Sequence, residues 1–268
     1  MVTWKRRFTW RNLSGDDFEG IKALKQYLFQ NFQTEDLGPL RYFLRIKVAQ
    51  SKSGIVISQR KYALDILEET CLTDCKLVNT PMDPNVKLLP NKGEPYTDPG
   101  RYLRLVGKLD YLTLTRPDIS FSISVVSQFL NSPCDNHCEA IIRILKYTKG
   151  SLGKWLIFCD RDNTDIIGYS DVDWVEDASD RRSTSDYCVF IGGNLISWKS
   201  KKQRIVARSS TEAEYRSMAH ATCELLWLKH LLQELHFYEV GPMELVCDKQ
   251  STLHLSFNPI FHERTKSL

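Results

Sequence analysis

Apolar residues recur at helical spacing through much of the first half of the chain. Phe18, Ile21, Leu24 and Leu28 predict a helix over 15–31. The runs 42–48 and 54–58 alternate apolar and polar side chains around a Ser-Lys-Ser-Gly turn, which predicts a β-hairpin. Leu64 and Leu67 mark the apolar side of a helix over 62–70. The stretch 81–99 carries Pro81, Pro84, Pro90, Pro95 and Pro99 together with Gly93, so it reads as a loop or linker. Helices are predicted over 102–114, 118–130 and 137–149, the second opening just after Pro117.

The period then changes. Strands are predicted over 166–174, 187–191, 195–199 and 204–207, with Gly192-Gly193-Asn194 as a tight hairpin turn. One long helix follows over 211–235, then a strand over 243–248 and a helix over 249–257. A strand–helix–strand step implies parallel pairing beside the antiparallel meander, hence a mixed sheet and an α/β (α+β) fold class.

Composition narrows the classes. With 42% hydrophobic and 11% aromatic residues the chain can bury a core, which excludes a disordered tail. The 36 basic and 33 acidic residues leave a formal charge of +3, so any nucleic-acid argument must rest on local clustering. No uninterrupted apolar run is long enough for a membrane helix, so no membrane partner is expected. The first eleven residues are basic but lack the apolar core of a secretory signal. Eight scattered cysteines fit a reducing compartment, and the expectation is an intracellular protein of cytoplasm, nucleus or an organelle.

Three acidic residues from separate elements stand out: Asp171 in the strand over 166–174, Glu214 in the long helix, and Asp248 ending a strand. Carboxylates gathered in this way suit hard divalent cations, which prefer oxygen ligands and complete their shell with water and phosphate. Two such ions can activate a water and stabilise a leaving oxygen. From Glu214 the positions Met218, Ala221, Leu225, Leu228, Leu232 and Leu235 follow in steps of four and three, so Glu214 begins the helix's apolar stripe. A carboxylate there is expensive unless paired or metal-bound. Glu212 points elsewhere, and Ser209-x-x-Glu212 reads as a capping box. Asp171 and Asp173 share one face of their strand, and the period of two does not choose between them.

A basic strip, Trp198, Lys199, Lys201, Lys202, Arg204 and Arg208, contains no acid. It suits either the phosphates of a nucleic-acid duplex or a charged edge strand that blocks aggregation. Cys71-x₃-Cys75 and Cys134-x₃-Cys138 lack the two-residue spacing of a zinc half-site and read as buried or drifted cysteines. His137, His220, His230, His236 and His254 show no convergent partners and read as ordinary surface or core residues.

Several words of the chain resemble one family closely. Tyr169-Ser170-Asp171-Val172-Asp173-Trp174, Arg182-Ser183-Thr184-Ser185, Ile196-Ser197-Trp198-Lys199-Ser200-Lys201-Lys202-Gln203, Ser209-Ser210-Thr211-Glu212-Ala213-Glu214-Tyr215, Cys247-Asp248-x-Gln250 and His262-Glu263-Arg264-Thr265-Lys266 resemble the ribonuclease H of copia-type retrotransposons. Asp36-Leu37-Gly38-Pro39-Leu40-Arg41-Tyr42-Phe43-Leu44, Thr80-Pro81-Met82-Asp83 and Thr115-Arg116-Pro117-Asp118-Ile119 resemble the reverse transcriptase that precedes it in the same polyprotein. The resemblance spans roughly residues 15–266.

It implies a ribonuclease H-like mixed sheet with helices over 151–268, preceded by a palm-end, thumb and connection segment over 15–150 and an atypical N-terminus over 1–14. It also implies cleavage of the RNA strand of an RNA–DNA hybrid with two Mg²⁺ or Mn²⁺ ions, and assigns Asp171, Glu214 and Asp248 as metal-binding and catalytic. The polymerase portion of the polyprotein is a further implied partner. Departures from the pattern are Asp186 and Arg45 where the family usually has Gly, Lys249 where it usually has Asn, and no Tyr-x-Asp-Asp run. The resemblance also implies a last strand and helix with a fourth acid beyond Lys266, so the chain is expected to be shortened at both ends. Hence polymerisation is not expected, and the alternatives to a nuclease are an inactive nucleic-acid-binding remnant or a decayed gene fragment.

Overall fold

The computed structural model describes residues 18–32, 40–51, 54–159, 161, 163–173, 181–234 and 242–248. The expected helix over 249–257 lies outside them. The architecture is α+β, with two four-stranded sheets and helices packed beside them.

Helix α1 (Phe18–Asn31) comes first, followed by three antiparallel strands, β1 (Tyr42–Phe43), β2 (Ile46–Ser51) and β3 (Gly54–Ser58). The strand expected over 42–48 is split because Leu44 and Arg45 adopt φ of 47° and 63°. This left-handed backbone favours glycine, the residue that the resemblance implies where Arg45 stands. Arg45 also lies over the Tyr62 ring, 5.3 Å from its centroid. A fourth strand, β4 (Leu156–Phe158), pairs antiparallel with β3 and was not predicted from the sequence.

A helical layer forms the main core. Helix α2 (Arg60–Glu69) buries Tyr62, Ala63, Ile66 and Leu67. Helix α3 (Pro99–Leu112) starts where Asp98 accepts the Arg101 N–H at 2.8 Å with Pro at its first turn, and buries Tyr102, Leu105, Val106, Leu109 and Leu112. The helix expected over 118–130 is broken into a 3₁₀ turn, α4 (Ser120–Val126) and a second 3₁₀ turn. Its run of serines and β-branched residues is poor in helix formers, and Ser127 Oγ donates back to the Ser124 carbonyl at 2.8 Å. Helix α5 (Asp135–Gly150) closes the layer with Ile141, Ile144 and Leu145.

His137 serves this core. It is fully buried, its Nδ1 accepts the Cys134 N–H at 3.0 Å, its Nε2 meets the Leu89 carbonyl at 3.1 Å, and its ring stacks on Phe129. Burial holds its pKa down, against the Leu89 carbonyl, so the neutral ring with a proton on Nε2 fits this place. The Cys134–Cys138 pair therefore frames a helix start, and all eight cysteines are free.

The second sheet has the order β7-β6-β5-β8, built from β5 (Ile166–Asp173), β6 (Thr184–Ile191), β7 (Asn194–Lys202) and β8 (Glu244–Cys247). β5, β6 and β7 are antiparallel neighbours, while β8 pairs parallel with β5, the expected mixed pattern. Gly192 and Gly193 take φ of 54° and 71°, and this paired left-handed turn joins β6 to β7 as the sequence indicated. No strand forms at 204–207. β6 begins at Thr184, whose partner is Lys202; past it the Gln203 N–H reaches back to the Ser183 carbonyl at 2.8 Å, and among the described residues no strand pairs with 204–207.

Helix α6 (Ser210–Glu234) crosses one face of this sheet. It buries Met218, Ala221, Leu225 and Leu228 as the stripe predicted. A Cβ at Gly168 would stand 3.1 Å from Leu225 Cδ1, so glycine there lets the helix approach β5 closely. On the opposite face α4 lies against β7, which joins the sheet to the helical layer.

Candidate active site

The pleat of β5 divides its side chains. Ile166, Gly168, Ser170 and Val172 are buried, with Ser170 and Val172 beneath α6; Ser170 Oγ donates to Ser217 Oγ at 2.9 Å, which in turn donates to the Asp171 carbonyl at 3.0 Å. Asp171 and Asp173 are exposed on the other pleat, where Asp171 stands directly across from Asp186. Burial raises the pKa of Asp173, with the Asp171 charge adding to it. Burial likewise raises that of Asp186, reinforced by the charges of Asp173 and Asp171.

Glu214 is fully buried one turn into α6. Ser209 caps that helix by accepting the Glu212 N–H at 3.1 Å. Glu212 reaches back to the Arg208 N–H at 2.9 Å, one residue earlier than the Ser209 N–H of a standard box. Burial would raise the Glu212 pKa, but the Arg208 N–H and the Arg216 guanidinium outweigh it and hold it low. Glu212 is thus a capping residue and Glu214 the inward one, as their helix positions indicated.

The parallel pairing of β5 and β8 ends on Ser170 and Cys247. The next residues on the two strands are Asp171 and Asp248, so the register sets Asp171, and not Asp173, beside Asp248. A carboxylate oxygen of Glu214, a carboxylate oxygen of Asp248 and Cys247 Sγ all lie within 4.8 Å of one another. The Cys247 thiol points to Glu214 Oε2 at 4.0 Å. The structure thus brings together Glu214 and Asp248. Among the described residues Asp171 is outside that group, and its Oδ1 accepts the Val172 N–H at 2.7 Å. Cys247 was not singled out from the sequence; its inward place follows from the strand alternation that also turns Leu245 to the core.

Two carboxylates, Glu214 near the N-terminal end of α6 and Asp248 just past β8, form a hard-oxygen donor set that suits Mg²⁺ or Mn²⁺. The thiol of Cys247 is a softer donor and no natural ligand for Mg²⁺.

Four of the six basic-strip residues, Lys199, Lys201, Lys202 and Arg204, line one groove, while Trp198 and Arg208 lie outside it. Ser197 Oγ donates to Glu224 of α6 at 2.6 Å, so its pleat, with Lys199 and Lys201, faces the helix. Trp198 and Lys202 take the other pleat, where Lys202 Nζ donates to Gln128 Oε1 at 3.0 Å. Arg204 and Arg208 are exposed beyond the strand. Between β7 and α6 lies a groove of about 590 Å³ lined by Lys199, Lys201, Arg204, Arg216, His220 and Glu224 among others. Arg216 and His220 were not foreseen; the Glu212–Arg216 spacing of four was the available sign of a cation on that helix face.

Residues 12–84 match the family described as reverse transcriptase (RNA-dependent DNA polymerase). The chain is 41% identical over 257 residues to the retrovirus-related Pol polyprotein from transposon RE1 of Arabidopsis thaliana, and 40% identical over 257 residues to that from transposon RE2. Each alignment covers 96% of this chain and 18% of the relative, so the chain spans under a fifth of those polyproteins. An uncharacterized mitochondrial protein of the same plant is 38% identical over 215 residues, covering 80% of this chain and 89% of that protein. No solved structure matches the chain significantly.

Proposed function

The chain belongs to the copia-type retrotransposon Pol family, related to its reverse transcriptase, and from that premise we propose that it hydrolyses the RNA strand of RNA–DNA hybrids through the carboxylates of its second sheet. The observation that carries this reading is the buried Glu214 held within 4.8 Å of the Asp248 carboxylate by two separate elements. Asp171, next to Asp248 in register, is the third acid. In this reading residues 151–268 form the nuclease unit and 15–150 the polymerase-derived unit. No Tyr-x-Asp-Asp run is present, so nuclease and not polymerase chemistry is assigned to these residues.

Two Mg²⁺ or Mn²⁺ ions, when bound, would supply Lewis acidity at the scissile phosphate and a more acidic attacking water. Glu214, Asp248 and Asp171 would hold them. Glu214 is fixed by its helix and excludes solvent from the inner wall of the site. Asp248 lies at the end of β8, exposed toward an incoming strand. Asp171, which shares the exposed pleat of β5 with Asp173, would join them from the strand beside β8 by giving up its Val172 N–H contact. The cations of the strip, Lys199, Lys201, Lys202, Arg204 and Arg208, with the Trp198 indole, attract the hybrid's backbone and make binding fall steeply with salt.

That self-directed Asp171 contact also favours a second reading, a nucleic-acid-binding protein without catalysis. A cleavage assay on labelled hybrid with Mg²⁺ separates the two. Under the nuclease reading wild type cleaves and Asp171→Asn loses most of the rate, on the order of 10²-fold. Equal rates in the two proteins would sink it, and salt-sensitive binding without cleavage in wild type would select the second reading.

A further inference from the structure

The groove between β7 and α6 has one wall of strand lysines and a helix wall carrying an arginine and a histidine, with nearly the same repeat. Lys199 and Lys201 are alternate residues on one strand face, roughly 6.6 Å apart along it. Arg216 and His220 are four residues apart on α6, a rise of about 6 Å. Arg204 adds a further cation to the lining, and among the described residues no ion pair engages Lys199, Lys201 or Arg204. Glu224 is the acid in the lining, and it is tied back by Ser197 Oγ and by the Tyr187 phenol. Burial first, then the Glu224 charge, push that phenol up to about 12, so it stays a donor to Glu224. Glu212 takes part of the Arg216 charge through a 2.8 Å contact.

We infer that this groove holds the phosphodiester backbone of one nucleic-acid strand, anchoring it away from the carboxylate cluster; the inference rests on the nuclease reading above. One strand carries a charge every 3.4 Å or so along a duplex axis, so cations about 6–7 Å apart meet alternate phosphates. The volume is that of a pocket for a drug-sized molecule, enough for a short run of nucleotides and not for a duplex. Ile205 in the lining gives a sugar or base an apolar contact. β7 lies two strands from β5, roughly 10 Å across the sheet, so the strand held here is displaced from the acids and is not the point of cleavage. The contact uses Arg216 and His220 from the helix beside Lys199, Lys201, Lys202 and Arg204, and leaves out Trp198 and Arg208.

The test is fluorescence anisotropy of the full chain in EDTA with a labelled oligothymidylate of about 12 nucleotides. Lys199→Glu/Lys201→Glu is expected to weaken binding tenfold or more and to lower the salt slope by about 1.4, two phosphate contacts at roughly 0.7 each. Lys47→Glu/Lys61→Glu, the same charge change on exposed residues of the first half, is expected to have a smaller effect. If the glutamates disturb the far-ultraviolet circular dichroism, Lys199→Gln/Lys201→Gln serves, with the same loss of slope. Unchanged affinity, an equal loss in the control, or displacement by polyglutamate as effective as by oligonucleotide of equal charge overturns the inference. Wild-type binding without Mg²⁺-dependent cleavage removes the nuclease reading and leaves the groove. Cleavage with an unaffected groove variant removes the groove alone.

Discussion

Glu214→Gln is expected to reduce Mg²⁺-dependent cleavage of hybrid RNA on the order of 10²-fold or more, about 2.7 kcal/mol in barrier height, with the fold retained. The side chain is fully buried at the start of the helix's sheet-facing stripe, and the Asp248 carboxylate lies within 4.8 Å of it. Glutamine keeps the shape and removes the anionic oxygen that a hard divalent cation needs. Far-ultraviolet circular dichroism beside the cleavage assay checks it. Undiminished cleavage by a folded variant would mean that Glu214 is a structural acid satisfied by its neighbours.

Arg116→Ala should destabilise the chain by about 3–5 kcal/mol, a large part of the stability of an ordinary domain. Arg116 is 4% exposed, and its guanidinium makes two 2.8 Å hydrogen bonds to the two oxygens of Asp118. It also donates to Ser151 Oγ at 2.6 Å and to the Ser151 carbonyl at 3.1 Å, and lies over the Tyr147 ring. Tyr147 Oη donates to Asp118 at 2.7 Å, so the network ties the turn before α4 to the end of α5. Burial alone would raise the Asp118 pKa, but the hydrogen bonds from Arg116 and Tyr147 and the charges of Arg116 and Lys154 bring it to about 2, below its ordinary 3.8. Because the folded value lies below the unfolded one, this stabilisation is complete above pH 4 and is lost as pH falls through 2. Its size is on the order of 2 kcal/mol. Urea titrations at pH 7 and pH 3 measure both effects. A loss under 1 kcal/mol for Arg116→Ala would place the stabilising contacts elsewhere.

What the sequence made legible follows local periodicity. The stripe that starts at Glu214, the glycine turn at 192–193 and the start of α3 at Asp98 are written in residues close together, and the structure has them. β4 is different: three residues, Leu156–Phe158, become a strand only because β3, about a hundred residues earlier, offers a free edge. The run 204–207 fails for the converse reason, an alternating pattern with no partner strand among the described residues. Within the candidate site, periodicity left Asp171 and Asp173 equivalent, and the pairing of β5 with β8, which ends on Ser170 and Cys247, leaves Asp171 the nearer along the strand to that end. The basic strip looked continuous in sequence, yet only Lys199, Lys201, Lys202 and Arg204 of it line the groove beside α6. Cys247 acquires meaning only once α6 carries Glu214 over it.

The most direct measurement is cleavage by the wild-type chain of an RNA–DNA hybrid labelled separately on each strand, in EDTA and after addition of Mg²⁺. The RNA strand should be cut only when the ion is present, and the DNA strand should stay intact. Cutting of both strands, cutting in EDTA, or no cutting by a folded protein that binds the hybrid would contradict the nuclease reading.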